Sequence, residues 1–112
     1  MEISCRTRDH VTVVAVTGRI DSTTSPELHT RLTALLQRGE KSLVLDLGGV
    51  DYMASAGLRV LLAAAKKSKA VGAVLVLARV TPFVCELLTM TGFQNIFRAF
   101  EDVEAAVAAI GG

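Results

Sequence analysis

Residues 46–62 have the sequence DLGGVDYMASAGLRVLL, a strand–loop–helix pattern that is the strongest indication of the fold class. The apolar run at residues 43–47 is typical of a buried strand that ends at Leu47. The two glycines that follow predict a loop, and a helix is predicted to begin near Ser55. Ser55 is therefore expected at or beside a helix N-terminus, where the first four backbone N–H groups lack partners within the helix.

The position of Ser55 has two interpretations. Serine is a favoured N-cap residue, and such a cap contributes roughly 1 kcal/mol to stability. Alternatively, the hydroxyl accepts a phosphoryl group, whose charge of about −1.5 to −2 a helix N-terminus can accommodate. Residues 46–62 alone leave both interpretations open.

The helix after Ser55 has a predicted core face and an outer face of small apolar side chains. At 100° per residue, the core stripe consists of Leu58, Leu61, Leu62 and Ala65. Ser55, Arg59 and Lys66 flank this stripe. Ala56, Val60, Ala63 and Ala64 are predicted to lie further round, away from the core. Such a surface indicates either a contact with another protein or packing beneath another element of the same fold.

Outward from this stretch, short apolar runs alternate with helical segments. Interior strands are predicted at residues 11–17, 43–47 and 73–78, with an edge strand at residues 3–8 and a short strand at residues 95–98. Asp9-His10 is predicted to form a tight turn. Ser25-Pro26 and Thr81-Pro82 are predicted to start two further helices, and a last helix is expected at residues 102–110. The third helix carries the apolar residues Phe83, Leu87 and Met90. This order predicts an α/β fold, a mixed sheet of about five strands packed by about four helices, in one domain spanning residues 1–112.

Composition excludes several classes of function. With 51% hydrophobic and 21% charged residues, the 112-residue chain is expected to be globular. The net charge of +1 provides no basic surface for nucleic acid or for an anionic membrane. Two separated cysteines and two histidines do not form a zinc-binding pattern. No signal peptide or membrane-spanning segment is predicted, so a cytoplasmic location is expected.

Three motifs carry a resemblance to a known family. Residues 52–58, YMASAGL, resemble the signature of STAS domains of the anti-sigma factor antagonist family, in which an aromatic residue precedes a D/I-S-S/T/A-G-L helix start. Gly18-Arg19-Ile20-Asp21 resembles the family's turn after the second strand, and residues 91–97, TGFQNIF, resemble its segment after the third helix. The similarity covers nearly the whole chain and implies a single STAS domain.

The resemblance implies an anti-anti-sigma factor that works by partner switching. In this family the unphosphorylated protein binds an anti-sigma factor that is also a serine kinase of the histidine-kinase-like ATPase fold. Phosphorylation of the serine corresponding to Ser55 abolishes binding, and a PP2C-type serine phosphatase restores it. ATP and Mg²⁺ belong to the partner kinase, so this chain is expected to hold no cofactor. The expected partner-binding residues are Asp21, Ser55, Ala56, Arg59, Val60 and Ala63.

The chain departs from the family pattern at two positions beside the serine. Many phosphorylated members have aspartate where this chain has Ala54, and serine or threonine where it has Ala56. Asp21 resembles the family's acidic residue near the phosphorylated serine, where it would contact the partner or repel a phosphate. It is equally well interpreted as a turn residue that accepts backbone N–H bonds.

Other classes of function fit less well. An enzyme with Ser55 as nucleophile lacks a G-x-S-x-G elbow, and nothing places His10 or His29 as its base. A phospho-acceptor aspartate would need an acidic pair after the first strand and a late lysine, and the chain has neither. An accessory subunit of an ABC-type lipid transporter, which binds its ATPase without phosphorylation, keeps the same fold and remains the alternative.

Overall fold

Strands β1 (Glu2–Arg8) and β2 (Val11–Ile20) form an antiparallel hairpin at one edge of the sheet. The computed structural model describes residues 1–111. Asp9 and His10 have φ values of 51° and 67°, the left-handed pair that a type I′ hairpin turn requires. The tight turn predicted at these two residues is therefore confirmed.

Strands β3 (Ser42–Met53), β4 (Val74–Ala78) and β5 (Ala99–Phe100) continue the sheet in parallel with β2, in the spatial order β1-β2-β3-β4-β5. Helices α1 (Ser25–Gln37), α2 (Ser55–Ala70), α3 (Pro82–Thr91) and α4 (Val103–Ile110) complete the fold. The predicted α/β class, with a mixed sheet of five strands and four helices, is confirmed.

The two faces of the sheet carry separate apolar cores. Strand residues such as Val14, Leu45 and Leu47 pack with α1, α2 and α3 on one face. Val13, Val44 and their neighbours pack with α4 on the other. Because helices cover both faces of the sheet, successive residues of β2 and β3 are buried on opposite sides, and both strands are nearly continuous apolar runs.

The third strand is longer than predicted. Residues 48–53, expected as a loop, continue β3 and pair with the end of β2 through two register shifts. Asp46 holds the start of this irregular part, because its Oδ1 accepts hydrogen bonds from the Gly48 N–H at 3.0 Å and from Arg79 Nε–H at 2.9 Å. Since β4 ends opposite Asp46, β3 extends past it toward α2 with β2 as its neighbour among the described strands.

One further prediction about the position of a strand is wrong. The strand expected at residues 95–98 lies at Ala99–Phe100. In α3 the buried residues are Val84 and Leu88, whereas Phe83 is 45% and Met90 76% exposed. Phe83 and Met90 therefore lie on the outer side of this helix, while Val84 and Leu88 pack against the sheet.

Candidate functional site

Ser55 is the first residue of α2, and its side chain is exposed. The N-cap residue is Ala54, with φ −89° and ψ 172°, and no side chain caps this helix. The capping interpretation of Ser55 is therefore wrong. The first turn closes on the Ala54 carbonyl, which accepts hydrogen bonds from the N–H groups of Gly57 and Leu58 at 3.0 and 3.2 Å. The N–H groups of Ser55 and Ala56 precede these bonds, so they have no partner within the helix.

Backbone contacts fix the start of α2 against the end of β2. The Ala54 N–H donates to the Ile20 carbonyl at 2.9 Å, just after Ile20 pairs with Met53 across the two strands. Gly57 permits this close approach, because a Cβ there would lie 2.6 Å from Ile20 Cγ2 and 2.9 Å from Met53 Cγ. Ser55 follows Ala54 and Asp21 follows Ile20 in the chain. The hydrogen bond between Ala54 and Ile20 therefore brings these two predicted site residues to the same end of the sheet.

Asp21 organises the turn between β2 and α1. Its Oδ1 accepts hydrogen bonds from the N–H and hydroxyl of Thr23 at 3.0 and 2.7 Å, and from the N–H and hydroxyl of Thr24 at 3.1 and 3.2 Å. These bonds, that from the Thr23 hydroxyl above all, lower the pKa of Asp21 to about 2. The carbonyl of Asp21 accepts the Ser25 N–H at 2.8 Å, which joins the turn to α1. Asp21 is thus a turn residue, and its contact with a partner stays a prediction.

A row of three side chains in contact, Arg19, Tyr52 and Phe83, borders the same end of the sheet. The guanidinium of Arg19 lies 4.2 Å from the centre of the Tyr52 ring, and the Tyr52 and Phe83 rings are 5.3 Å apart. Arg19 Nε also lies 3.7 Å from Asp21 Oδ2. In the sequence, Arg19 and Tyr52 are visible only as parts of motifs, and Phe83 only as an apolar residue of the third helix. Their association depends on the pairing of Arg19 with Tyr52 across β2 and β3, which follows two register shifts that no local pattern indicates.

The remaining predicted partner-binding residues lie along α2. Arg59 and Ala63 are exposed, whereas Ala56 and Val60 are partly buried. Ala64, expected to point away from the core, is buried with 6% exposure, so that prediction is wrong. The cause is α1, which packs alongside α2.

The two helices leave a groove of about 410 Å³ between them, lined in part by Ala63, Ala64, Leu32 and Leu36. Part of the small apolar surface predicted on α2 therefore packs within the fold, and Ala63 lies at the exposed edge of that contact.

Two further structural findings concern residues 1–111. No group of three or more His, Cys, Asp or Glu side chains in this range is arranged to hold a metal ion. None of the helices in the same range has both the length and the apolar character needed to cross a membrane.

Comparison with known proteins agrees with this geometry. The family model described as the STAS domain matches residues 2–106. BtrV of Bordetella bronchiseptica, which is assigned as an anti-sigma factor antagonist, is 38% identical over 97% of this chain and 94% of its own length. The anti-sigma-B factor antagonist of Staphylococcus aureus is 29% identical over 93% of this chain and 96% of its own.

A solved structure has the same fold. The crystal structure of an anti-sigma factor antagonist from Mycobacterium paratuberculosis superposes with a TM-score of 0.89 and 26% identity, covering 99% of this chain and 94% of the other. These antagonists are a regulatory rather than an enzymatic class of protein. From the match over residues 2–106 and the likeness to BtrV, the chain belongs to the STAS domain family of anti-sigma factor antagonists.

Proposed function

We propose that this chain, acting as one STAS domain, is the phosphorylation-controlled antagonist of a partner-switching module. Its unphosphorylated form binds an anti-sigma factor that is also a serine kinase of the histidine-kinase-like ATPase fold, and the anti-sigma factor then releases its target. The kinase phosphorylates Ser55, which abolishes binding, and a PP2C-type serine phosphatase reverses the reaction. Because the kinase uses cellular ATP, the module operates in the cytoplasm.

The observation that carries the proposal is the exposed hydroxyl of Ser55 at the start of α2, which makes no hydrogen bond to any of residues 1–111. Since this hydroxyl does not cap the helix, transfer of a phosphoryl group from ATP to its oxygen, with release of ADP, costs the fold no capping hydrogen bond. The free N–H groups of the first turn favour an anion at this place. A phosphate there therefore leaves the domain folded while it adds a charge of about −1.5 to −2 to the surface.

The added charge would act on a surface made of Asp21, Ser55, Ala56, Arg59, Val60 and Ala63. A partner packed over Ser55 would have to bury the phosphate, and burying a charge without a counter-charge is strongly unfavourable. This cost is the physical reason that phosphorylation would release the partner. The matched relatives are named as antagonists of anti-sigma factors, so the accessory subunit of a lipid transporter is not favoured.

The test is to isolate the protein from its native host and to examine it by intact and peptide mass spectrometry. Purified kinase-type anti-sigma factors of the same organism are then each incubated with it, with and without ATP and Mg²⁺, and binding is measured by calorimetry. We expect one of them to bind, to transfer a single phosphate to Ser55, and to bind the phosphorylated protein at least about 100-fold more weakly.

Matched variants locate the site. Ser55→Ala is expected to abolish the added phosphate and to keep the complex intact in the presence of ATP. Ser22→Ala removes an exposed hydroxyl beside Asp21 and is expected to leave the phosphate unchanged. Absence of phosphate under every growth condition, with a transporter ATPase as the stable partner, would contradict the proposal and leave the family assignment intact.

A further inference from the structure

Helix α3 carries apolar side chains beyond its buried face, and two of them are open to solvent. Val84 and Leu88 are buried in the core, while Phe83, Leu87 and Met90 follow one another at the i, i+4, i+7 spacing of a second stripe. Phe83 is 45% and Met90 76% exposed, and Leu87 is partly buried. We call these three residues the α3 stripe.

The composition of the α3 stripe is that of the centre of a protein–protein interface. Such centres are depleted of charged residues and enriched in aromatic residues and methionine. Glu86 is the one charged residue in the ten residues of α3. Contiguous exposed apolar surface of this kind marks interaction sites more often than isolated apolar residues do.

One end of the α3 stripe lies beside Tyr52, on the strand that leads to Ser55. Strand β4 ends opposite Asp46, so it does not pair with the later residues of β3. The start of α3 lies beside those residues, where the Thr81 hydroxyl donates to the Val50 carbonyl at 3.0 Å. The ring of Phe83, the first residue of the stripe, lies 5.3 Å from the Tyr52 ring at an interplanar angle of 43°, and Tyr52 is three residues before Ser55. At 1.5 Å per residue, Met90 lies about 10 Å further along the helix axis. A partner that covers Tyr52 and Ser55 therefore meets the stripe as it extends along α3.

We propose that the α3 stripe is a docking surface for an apolar patch of the same anti-sigma factor that engages Ser55. This inference rests on the proposed function and adds a second, uncharged part to its interface. The end at Ser55 is the part that a phosphate disrupts, whereas Met90 supplies affinity that does not depend on charge. A second copy of the chain could cover the same stripe, and the experiment below separates the two occupants.

The experiment measures the affinity of the unphosphorylated chain for the purified kinase-type anti-sigma factor that binds it. Met90→Gln replaces an exposed apolar tip by a polar one of similar length and helix propensity. The matched control is Val74→Thr, which makes the same kind of change at a residue that is 44% exposed and lies at the opposite end of the parallel strands. We expect Met90→Gln to raise the Kd about tenfold, the effect of losing one apolar side chain that contributes substantially to binding, and Val74→Thr to leave it within about twofold. Thermal melting of both variants should match the wild type, since both side chains are exposed.

The outcomes discriminate between the two proposals. If the wild-type chain binds no anti-sigma factor, the proposed function fails, and the docking proposal fails with it. If the wild type binds and Met90→Gln binds equally well, the docking proposal alone is overturned. Light scattering of the isolated chain provides the last comparison. A wild-type dimer that Met90→Gln converts to monomer, with unchanged affinity for the anti-sigma factor, would assign the stripe to a second copy and overturn the proposal.

Discussion

Gly57→Ala is the substitution by which the attachment of α2 to the sheet is most directly tested. Gly57 is buried, and a methyl group there would lie 2.6 Å from Ile20 Cγ2 and 2.9 Å from Met53 Cγ. Both distances are far below van der Waals contact. Ile20 is β-branched and fully buried, so its side chain cannot rotate away from the new methyl without meeting other core atoms.

The magnitude follows from two opposing effects. Overpacking of a filled core costs about 1–3 kcal/mol. Replacing glycine by alanine within a helix recovers up to about 1 kcal/mol, and less in the first turn, where Gly57 lies. We therefore expect a net loss of about 1–2 kcal/mol. For a chain of 112 residues each kcal/mol lowers the Tm by about 4 °C, so the Tm should fall by about 4–8 °C.

The assay is thermal unfolding followed by circular dichroism, with Ser55→Ala as the control in the same turn of α2. Because the Ser55 side chain is exposed and caps nothing, Ser55→Ala should leave the Tm within about 2 °C of the wild type. An unchanged or higher Tm for Gly57→Ala would refute the reasoning, because it would mean that α2 does not lie close against Ile20 and Met53. A large fall for Ser55→Ala would show that the hydroxyl does contribute to the helix.

Two further predictions concern carboxylates. Asp21 has a folded-state pKa of about 2, below its ordinary value near 3.8, so its contribution to stability is complete above about pH 4 and is lost as the pH falls toward 2. In urea unfolding between pH 2 and 6, the wild type should have a higher free energy of unfolding than Asp21→Asn, by a constant difference near pH 6 that shrinks toward zero near pH 2. A difference that grows as the pH falls would contradict this. Asp46 has a side chain only 9% exposed and accepts from Arg79 and Gly48, so Asp46→Asn should cost about 1–2 kcal/mol in urea unfolding at pH 7. Its control, Asp102→Asn, keeps an equivalent cap on α4 and should change stability by less than about 0.5 kcal/mol.

Much of the fold could be predicted because local signals agree with tertiary packing. The β-branched run of β2 and the turn at Asp9-His10 each have one plausible structure, and the alternation of strands with helices leaves few topologies. The extension of β3 could not be predicted. Gly48-Gly49 is a typical loop signal, and it is overruled by pairing with residues of β2 that are about thirty positions away.

The orientation of α3 could not be predicted for a different reason. Its outward and inward stripes are both apolar, so helical periodicity identifies two candidate core faces and cannot rank them. The choice is made by tertiary contacts, which bury Val84 and Leu88 and leave Phe83 beside Tyr52. The burial of Ala64 on α2 could not be predicted for a similar reason. A single methyl group fits a buried or an exposed helix position, and which of the two it occupies depends on where α1 packs.

The unpredicted length of β3 also determines how rigidly the candidate site is held. A loop between Leu47 and Ser55 would have allowed the start of α2 to move relative to Asp21. Instead β3 pairs with β2 as far as Met53, and the next residue donates its N–H to Ile20. Gly57 then fixes the first turn of α2 in direct contact with the same residue. Any group attached to the Ser55 hydroxyl is therefore presented on a framework of backbone hydrogen bonds and close packing. Under these constraints, a charge added at Ser55 acts on a partner mainly by changing the surface that the partner meets, since the residues beneath it have little room to rearrange.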